Sequence, residues 1–445
     1  MVYGPTRLRN KRSRNDFGKA RRADGPGGID RGRRTSEGLK VSDFIERLMK
    51  SPLDDGPEAI EEFFRRRYGP EALYLPSGRL ALYVAFREWL RPGDRLLMSP
   101  VNDDVVFFTV LAAGLVPVLG PIDPSTGNLD PSAIDESTWS RVKAVMTTNL
   151  YGTPDRMDVL EERSRTHGLL LIEDACHAFD SVSGGRRIGT FGTAAVYSLS
   201  KHLGIAGGVL MFSDSSRRAS LARRAQAELR HRFLSAATAS QVSELLRAMS
   251  HQSRAPWWLA LARERLVAPS DRRAGHRMPY TDAAVLEAQR QGGGLDPFDR
   301  WVRMDNPAYR TRPLRSSIRT TVHRLRTFDE NRRRRIAGAR KLFELGFTPP
   351  SVLVPRDIAL LRVPLFVKDR EKAIAFLARH GLTTEYIYDP PLDLYAPGLT
   401  EPIPSPPSAR IWSRDVLPVN PLRADHFLAI LRKQPQRWQP SFEVS

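Results

Sequence analysis

The chain has 445 residues, 41% of them hydrophobic and 27% charged, with a formal net charge of +19; that length allows two or three domains, each with its own core. Nothing reads as a membrane span, because the longest apolar run, VVFFTVLAAGLVPVLG at 105–120, is broken by Gly114 and Pro117. The N-terminus has no apolar core behind its basic residues, which argues against a signal peptide, and the single cysteine, Cys176, excludes an internal disulfide and suits a reducing cytoplasm.

In chain order, residues 1–40 come first as a basic arm, with 12 Lys+Arg against 4 Asp+Glu and few apolar residues. Such a segment is expected to be disordered. Contact of the arm with nucleic acid or a membrane surface is one reading, and a solvated tail is the favoured one. The interior carries no zinc spacing, no basic helical stripe and no RNA-binding signature.

From about residue 41 the pattern becomes regular. Short apolar runs bounded by Gly, Pro and Asp mark buried strands at EALYL (71–75), RLLMSP (95–100), VPVLGPI (116–122), VKAVMTTNL (142–150), GLLLIED (168–174), AAVYSL (194–199) and GGVLMF (207–212). Helix-like stretches lie between them: GRLALYVAFREWL, DVVFFTVLAAG and RMDVLEERSRTHG. The alternation predicts a mostly parallel α/β sheet, with the last two strands antiparallel because their connection is short. Residues 213–340 are Arg-rich, with helix-like SQVSELLRAM and PWWLALARERL, a looser GGGLDPF, and a strong helix at NRRRRIAGARKLFELG. From about 350 a smaller α/β module follows, with LLRVPLFV as a strand and DREKAIAFLARHG and ADHFLAILRKQ as helices.

One residue stands out in this pattern. The chain writes 59 Arg and only 10 Lys, yet places Lys201 in the small apolar run AAVYSLSKHLGIAGG. LIEDACHAFD puts Asp174 at the carboxyl end of another strand, and ligands of open α/β sheets gather outside those ends. The two residues form either a buried ion pair or the anchor of pyridoxal phosphate, whose aldehyde takes a lysine and whose ring nitrogen takes an acid. In LYLPSGRLALYVAF, Ser77, Gly78 and Arg79 lie where a helix N-terminus would cradle a phosphate, or where serine simply caps the helix. Ser198, three residues before Lys201, adds a hydroxyl. His177, three after Asp174, either contacts the ring or is structural.

The segments PSGRLAL, RPGDRLLMSP, TTNLYGTPDRMDVL, LLLIEDACHAFDSVSGGRRIGTFGTAAVYSLSKHLGIAGG and VLPVNPL occur in an order and spacing that resemble the DegT-type sugar aminotransferases over roughly residues 41–435. The resemblance implies a fold-type I enzyme: a mostly parallel seven-stranded sheet in a large domain (41–300, with an atypical Arg-rich helical insertion at about 220–300), then a linker helix and small C-terminal α/β domain (301–445). It implies pyridoxal phosphate bound covalently by Lys201, with Asp174 at the pyridinium and His177 at the ring. Gly78, Arg79 and Ser198 would hold the phosphate, and Leu150, Tyr151 and Gly152 are the family's LYG element. Family members are homodimers that borrow site residues from the partner. Their substrates are an amino-acid donor and a keto acceptor on a sugar or sugar-like ring, in some cases nucleotide-linked. Three departures mark a divergent member. Asp103 or Asp104 of PVNDDVVFF occupies the place of the aromatic that covers the cofactor ring. Arg79 replaces a threonine, and Arg310 of NPAYRTRPLR replaces the asparagine that reaches across the dimer. A dehydratase branch replaces the lysine with histidine, which Lys201 argues against. A non-catalytic or regulatory descendant of the fold is the alternative from another class.

Overall fold

The structure, a computed structural model, describes residues 56–230, 276–402, 407–434 and 438–442. The basic arm and the segments SQVSELLRAM and PWWLALARERL lie outside the described residues. Helix α1 (Pro57–Tyr68) leads into strand β1 (Glu71–Leu75). The remaining strands of the large sheet are β2 (Arg95–Met98), β3 (Val116–Leu119), β4 (Ala144–Met146), β5 (Leu170–Asp174), β6 (Ala194–Ser198) and β7 (Gly208–Phe212).

These seven strands lie in the order β1-β7-β6-β5-β4-β2-β3, and a two-residue strand, Glu401–Pro402, adds an eighth beside β3. Pairing is parallel from β6 through β5, β4 and β2 to β3. Strand β7 runs antiparallel to both its neighbours, β1 and β6. The carboxyl ends of β1, β5 and β6 therefore share one edge, and the first residue of β7, Gly208, lies there too, paired with Leu75 and Ser198.

Each face of the sheet is covered, which is why its strands are apolar throughout rather than alternating. Helices α2 (Gly78–Trp89) and α3 (Asp104–Ala112) lie on one face, with Leu80, Val84, Phe86, Phe107 and Phe108 buried against Leu96, Met146 and Ile172. The other face packs Ile60, Phe64, Trp139, Leu160, Phe179 and Tyr197 against Val322, Leu325 and Phe328. Helix α3 is apolar all round because a further helix, Leu295–Val302, covers its outer side, with Trp301 stacked on Phe108 at 5.1 Å. That helix differs from the loose segment expected at GGGLDPF. Its buried residues Leu295, Phe298, Trp301 and Val302 fall on one helical face, a pattern hidden in the sequence behind three glycines.

Past residue 300, helix α4 (Phe328–Phe343) leads to a two-stranded antiparallel sheet of β8 (Val363–Phe366) and β9 (Val416–Val419). A separate core there joins Leu342, Val363, Leu365, Leu417, Val419 and Phe427. Gly338 allows α4 to cross the Pro421 turn closely, since a Cβ there would lie 2.0 Å from the Pro421 carbonyl oxygen.

Candidate active site

Lys201 lies on a single helical turn, Leu199–Leu203, that follows β6 directly. Leu199 and Leu203 are buried and pin the turn. Gly204, at φ 70°, stops it, its N–H bonding the Ser200 carbonyl. The amine, left partly exposed, reaches His177, with Nζ 2.9 Å from Nε2. His177 and Asp174 come from the loop and strand end of β5. Asp174 is buried and accepts the N–H of Cys176 at 3.0 Å.

His177 is fixed at three points, two on its ring and one on its backbone. Nδ1 of His177 accepts the Tyr151 N–H at 3.2 Å, the Tyr388 hydroxyl lies 3.4 Å from Nε2, and the His177 carbonyl oxygen is 2.9 Å from Nε2 of His202. Tyr151 can present its N–H this way because the backbone is forced. Asn149 and Tyr151 both have positive φ, 46° and 56°, and Gly152 follows at 105°. Such conformations cost about 1–3 kcal/mol each and persist only when the surroundings over-determine them. Here Asp155 accepts the N–H groups of Leu129, Thr148 and Asn149, and Asn149 donates to the Asp174 carbonyl.

Burial and the Lys201 charge push His177 well below the usual imidazole range, so the ring is neutral. With Nδ1 accepting, a neutral imidazole carries its proton on Nε2, the nitrogen 2.9 Å from Lys201 Nζ. Burial also opposes the Lys201 ammonium, but negative charge on Cys176, Tyr386, Asp174 and Asp103 outweighs it and raises the lysine. Burial pushes the Cys176 thiol up. Asp174 is raised by burial, with the Lys201 charge and the Cys176 N–H working against that.

Beside this triad stands the N-terminus of α2. The Ser77 hydroxyl accepts the Leu80 N–H and donates to the Tyr309 carbonyl. A Cβ on Gly78 would lie 3.1 Å from Ser198 Cβ and 3.2 Å from Cys176 Sγ, so the turn abuts the ends of both β6 and β5. The Ser198 hydroxyl is 3.0 Å from that of Ser200. Lys201, Asp174, His177, Ser198 and Gly78 thus converge at one sheet edge.

The two arginines singled out from the sequence are engaged elsewhere through their side chains. Arg79 donates to the carbonyls of Val302 and Met304, although its charge is felt at Cys176. Buried Arg310 donates to the Glu228 carbonyl at 2.9 Å and to Asp296 at 2.7 Å. Of the two acids at the start of α3, Asp103 caps the helix through the Val105 N–H and its charge reaches Asp174, His177 and Lys201. Asp104 turns away to the Met278 N–H at 2.7 Å.

Sequence reasoning missed the site's other wall. Tyr386, with φ 68°, presents its ring 5.1 Å from Lys201 Nζ, held by the Tyr151 hydroxyl donating to its carbonyl. Arg362 lies over the same ring, its Cζ 4.8 Å from the centroid. The available signal was the pair of tyrosines in EYIYDPP and the arginine opening the strand in LLRVPLFV.

Residues 57–242 match the model of the DegT/DnrJ/EryC1/StrS aminotransferase family. A pleiotropic regulatory protein of Geobacillus stearothermophilus is 29% identical over 185 residues, 40% of this chain and 49% of its own length. A dTDP-3-amino-3,4,6-trideoxy-alpha-D-glucose transaminase of Streptomyces venezuelae is 33% identical over 166 residues, 36% of this chain and 43% of its own. The matched region thus spans about half the length of these relatives or less. Among solved structures, S. venezuelae DesV superposes with TM-score 0.55 at 22% identity, covering 88% of this chain and 93% of that one. An Escherichia coli GDP-4-keto-6-deoxy-D-mannose-3-dehydratase gives 0.57 at 17%, covering 88% and 94%. These likenesses extend the shared fold well beyond the matched residues.

Proposed function

We propose that the chain, whose residues 57–242 match the DegT/DnrJ/EryC1/StrS aminotransferase family model, is a pyridoxal phosphate-dependent aminotransferase of that family. It would move an amino group from an amino-acid donor to a keto group on a sugar or sugar-like ring. The observation that carries the reading is the 2.9 Å contact between Lys201 Nζ and a neutral His177, with the buried Asp174 carboxylate beside them.

The donor set suits the cofactor on its own chemistry. An amine, a carboxylate and a helix N-terminus with a nearby serine hydroxyl answer to an aldehyde, a ring nitrogen and a phosphate. The tight approach of Gly78 to Ser198 and Cys176 seats the first turn of α2 directly on the ends of β6 and β5. When bound, pyridoxal phosphate supplies an electrophilic carbon for amines and a ring that withdraws electrons from the carbon next to nitrogen.

The protein's residues divide the work. Lys201 would hold the cofactor covalently and, once released, carry a proton on Nζ as general acid and base. His177, through Nε2, keeps the amine aimed. Asp174 would hold a proton on the ring nitrogen by its negative charge, in a site dry enough to make that charge effective. Backbone N–H groups of Gly78 and Arg79, and the Ser198 hydroxyl, would receive the phosphate. Arg79 through its side chain instead fixes the 302–304 segment. A homodimer with a domain boundary near residue 300 is part of the same reading and rests on the resemblance, while a cytoplasmic setting rests on the single cysteine. Among the described residues no helix is long and apolar enough to cross a membrane.

The test is covalent. The purified protein with pyridoxal phosphate should show a visible absorbance band, and borohydride should trap the cofactor on Lys201. An adduct mapped to another lysine, or no band in the loaded protein, would sink the reading.

A further inference from the structure

Next to Lys201 the balance of buried charge is uneven. The Lys201 amine has Asp174 and Asp103 within electrostatic reach. Behind Tyr386 lie two more cations, Arg362 at 7% exposure and Arg335 at 0%. Arg335 donates to the carbonyls of Leu360, Leu361 and His202 and to the Asn331 side chain. Arg362 bonds the Leu361 carbonyl and, at 3.3 Å, the carboxylate of Glu385, whose side chain is 47% exposed. A long contact to a half-exposed glutamate is a weak match for two buried guanidinium groups.

The backbone that carries Arg362 is also held in place. Both Leu361 N–H and Arg362 N–H donate to the Tyr151 carbonyl, at 2.9 and 3.3 Å. The Arg362 Cζ lies 4.8 Å from the Tyr386 ring centroid, and Lys201 Nζ lies 5.1 Å from the same point, so the two cationic groups are at most about 10 Å apart. Tyr386, at φ 68°, holds that ring within reach of both.

We infer that Arg362 binds a carboxylate of the amino-acid donor, taking it in exchange for Glu385. The inference rests on the aminotransferase reading and adds to it how the donor is recognised. A planar fork of donors suits a carboxylate bidentately. An amino acid carries that carboxylate one carbon from the amine that must reach the Lys201 position, a span that fits inside the limit set by the Tyr386 ring. Arg335 contributes positive potential from beneath without touching the ligand.

The experiment compares the loaded wild type with Arg362→Gln and Glu385→Gln. The half-reaction with L-glutamate is followed by loss of the visible band, and hydroxylamine, which has no carboxylate, serves as the control nucleophile. Arg362→Gln should lower kcat/KM for L-glutamate by about 10- to 100-fold, the loss of a charged hydrogen-bonded contact, and leave the hydroxylamine rate within about twofold. Calorimetric titration of the unloaded protein with succinate should show a similar weakening. Glu385→Gln, a change at a half-exposed position, should leave the fold intact and lower the KM for L-glutamate, because the competing carboxylate is gone. Equal losses with L-glutamate and hydroxylamine, or unchanged succinate affinity, would reduce Arg362 to a structural role while leaving the aminotransferase reading in place. An unchanged or raised KM in Glu385→Gln would overturn the exchange. Failure of the wild type to form the visible band would remove the aminotransferase reading itself, and this inference with it.

Discussion

Gly78→Ala tests the phosphate end of the site through packing alone. The added Cβ would sit 3.1 Å from Ser198 Cβ and 3.2 Å from Cys176 Sγ. Neither neighbour can yield easily. Ser198 ends a strand paired on both sides, Cys176 N–H is bonded to Asp174, and Ala175 N–H is bonded to Val196. Overpacking of one methyl group in such a place costs about 1–3 kcal/mol. The compliant partner is the β1–α2 turn, so the strain should be relieved by moving the turn outward. That opens the cradle, and losing one charged hydrogen bond to a phosphate weakens binding by about 1.5–3 kcal/mol, or roughly 10- to 100-fold in Kd. The assay is a cofactor titration followed by absorbance, with thermal unfolding of the unloaded protein as the control for global damage. Gly78→Ala combined with Cys176→Ala should regain part of the affinity, because one of the two contacts is removed. A cofactor Kd equal to wild type, alongside measurable destabilisation, would show that the turn does not meet the phosphate.

Two further changes probe the buried acids of β5. Asp174→Asn can still accept the Cys176 N–H through its amide oxygen, so the fold should hold, but the lost charge should slow single turnover with an amino donor by about 10²–10³-fold; near-normal turnover would mean that the ring nitrogen has another partner. Glu173, fully buried, accepts the N–H groups of Gly189, Phe191 and Gly192, yet burial pushes its carboxyl from 4.5 up to about 7. The folded state therefore binds the proton more tightly than the unfolded chain does. The stability this gives is present below pH 4.5 and disappears as pH rises to about 7, amounting to at most about 3 kcal/mol. Urea unfolding across that range should show a falling wild-type stability and a flatter profile in Glu173→Gln; parallel profiles would refute the assignment.

How much of this was legible in the sequence follows from how local each feature is. The strands of the large sheet were readable because burial on both faces leaves short apolar runs between Gly, Pro and Asp, as at Leu170–Asp174 and Gly208–Phe212. The antiparallel turn-back of β7 was readable from the short connection after Lys201. Lys201, Asp174 and His177 were readable because each lies within three residues of a strand end. The strand at Glu401–Pro402 was not, since two residues carry no period, and its partner β3 is some 280 positions away. Arg79 and Arg310 were flagged by position in a motif, but a side chain's direction depends on distant acceptors. The carbonyls of Val302 and Met304, and the Asp296 carboxylate, take up these guanidinium groups.

The same logic explains why the wall formed by Tyr386, Tyr388 and Arg362 was invisible. It is assembled by long-range contacts whose common node is the LYG turn. The Tyr151 N–H fixes His177, its carbonyl receives Leu361 and Arg362, and its hydroxyl holds Tyr386. One residue in a strained conformation thus sets the imidazole facing Lys201 and the guanidinium beyond it. Gly152 is required beside it, because a Cβ there would lie 3.1 Å from the His177 carbonyl oxygen and 3.2 Å from the Leu360 backbone, at a φ of 105°. Arg335 closes the circuit from below, joining the carbonyl of His202, the neighbour of Lys201, to those of Leu360 and Leu361. The amine and the arginine, both close to the Tyr386 ring, are thereby tied to each other through backbone. A short motif in the sequence could announce the turn; only the folded chain reveals that it sets the spacing between the amine and the arginine.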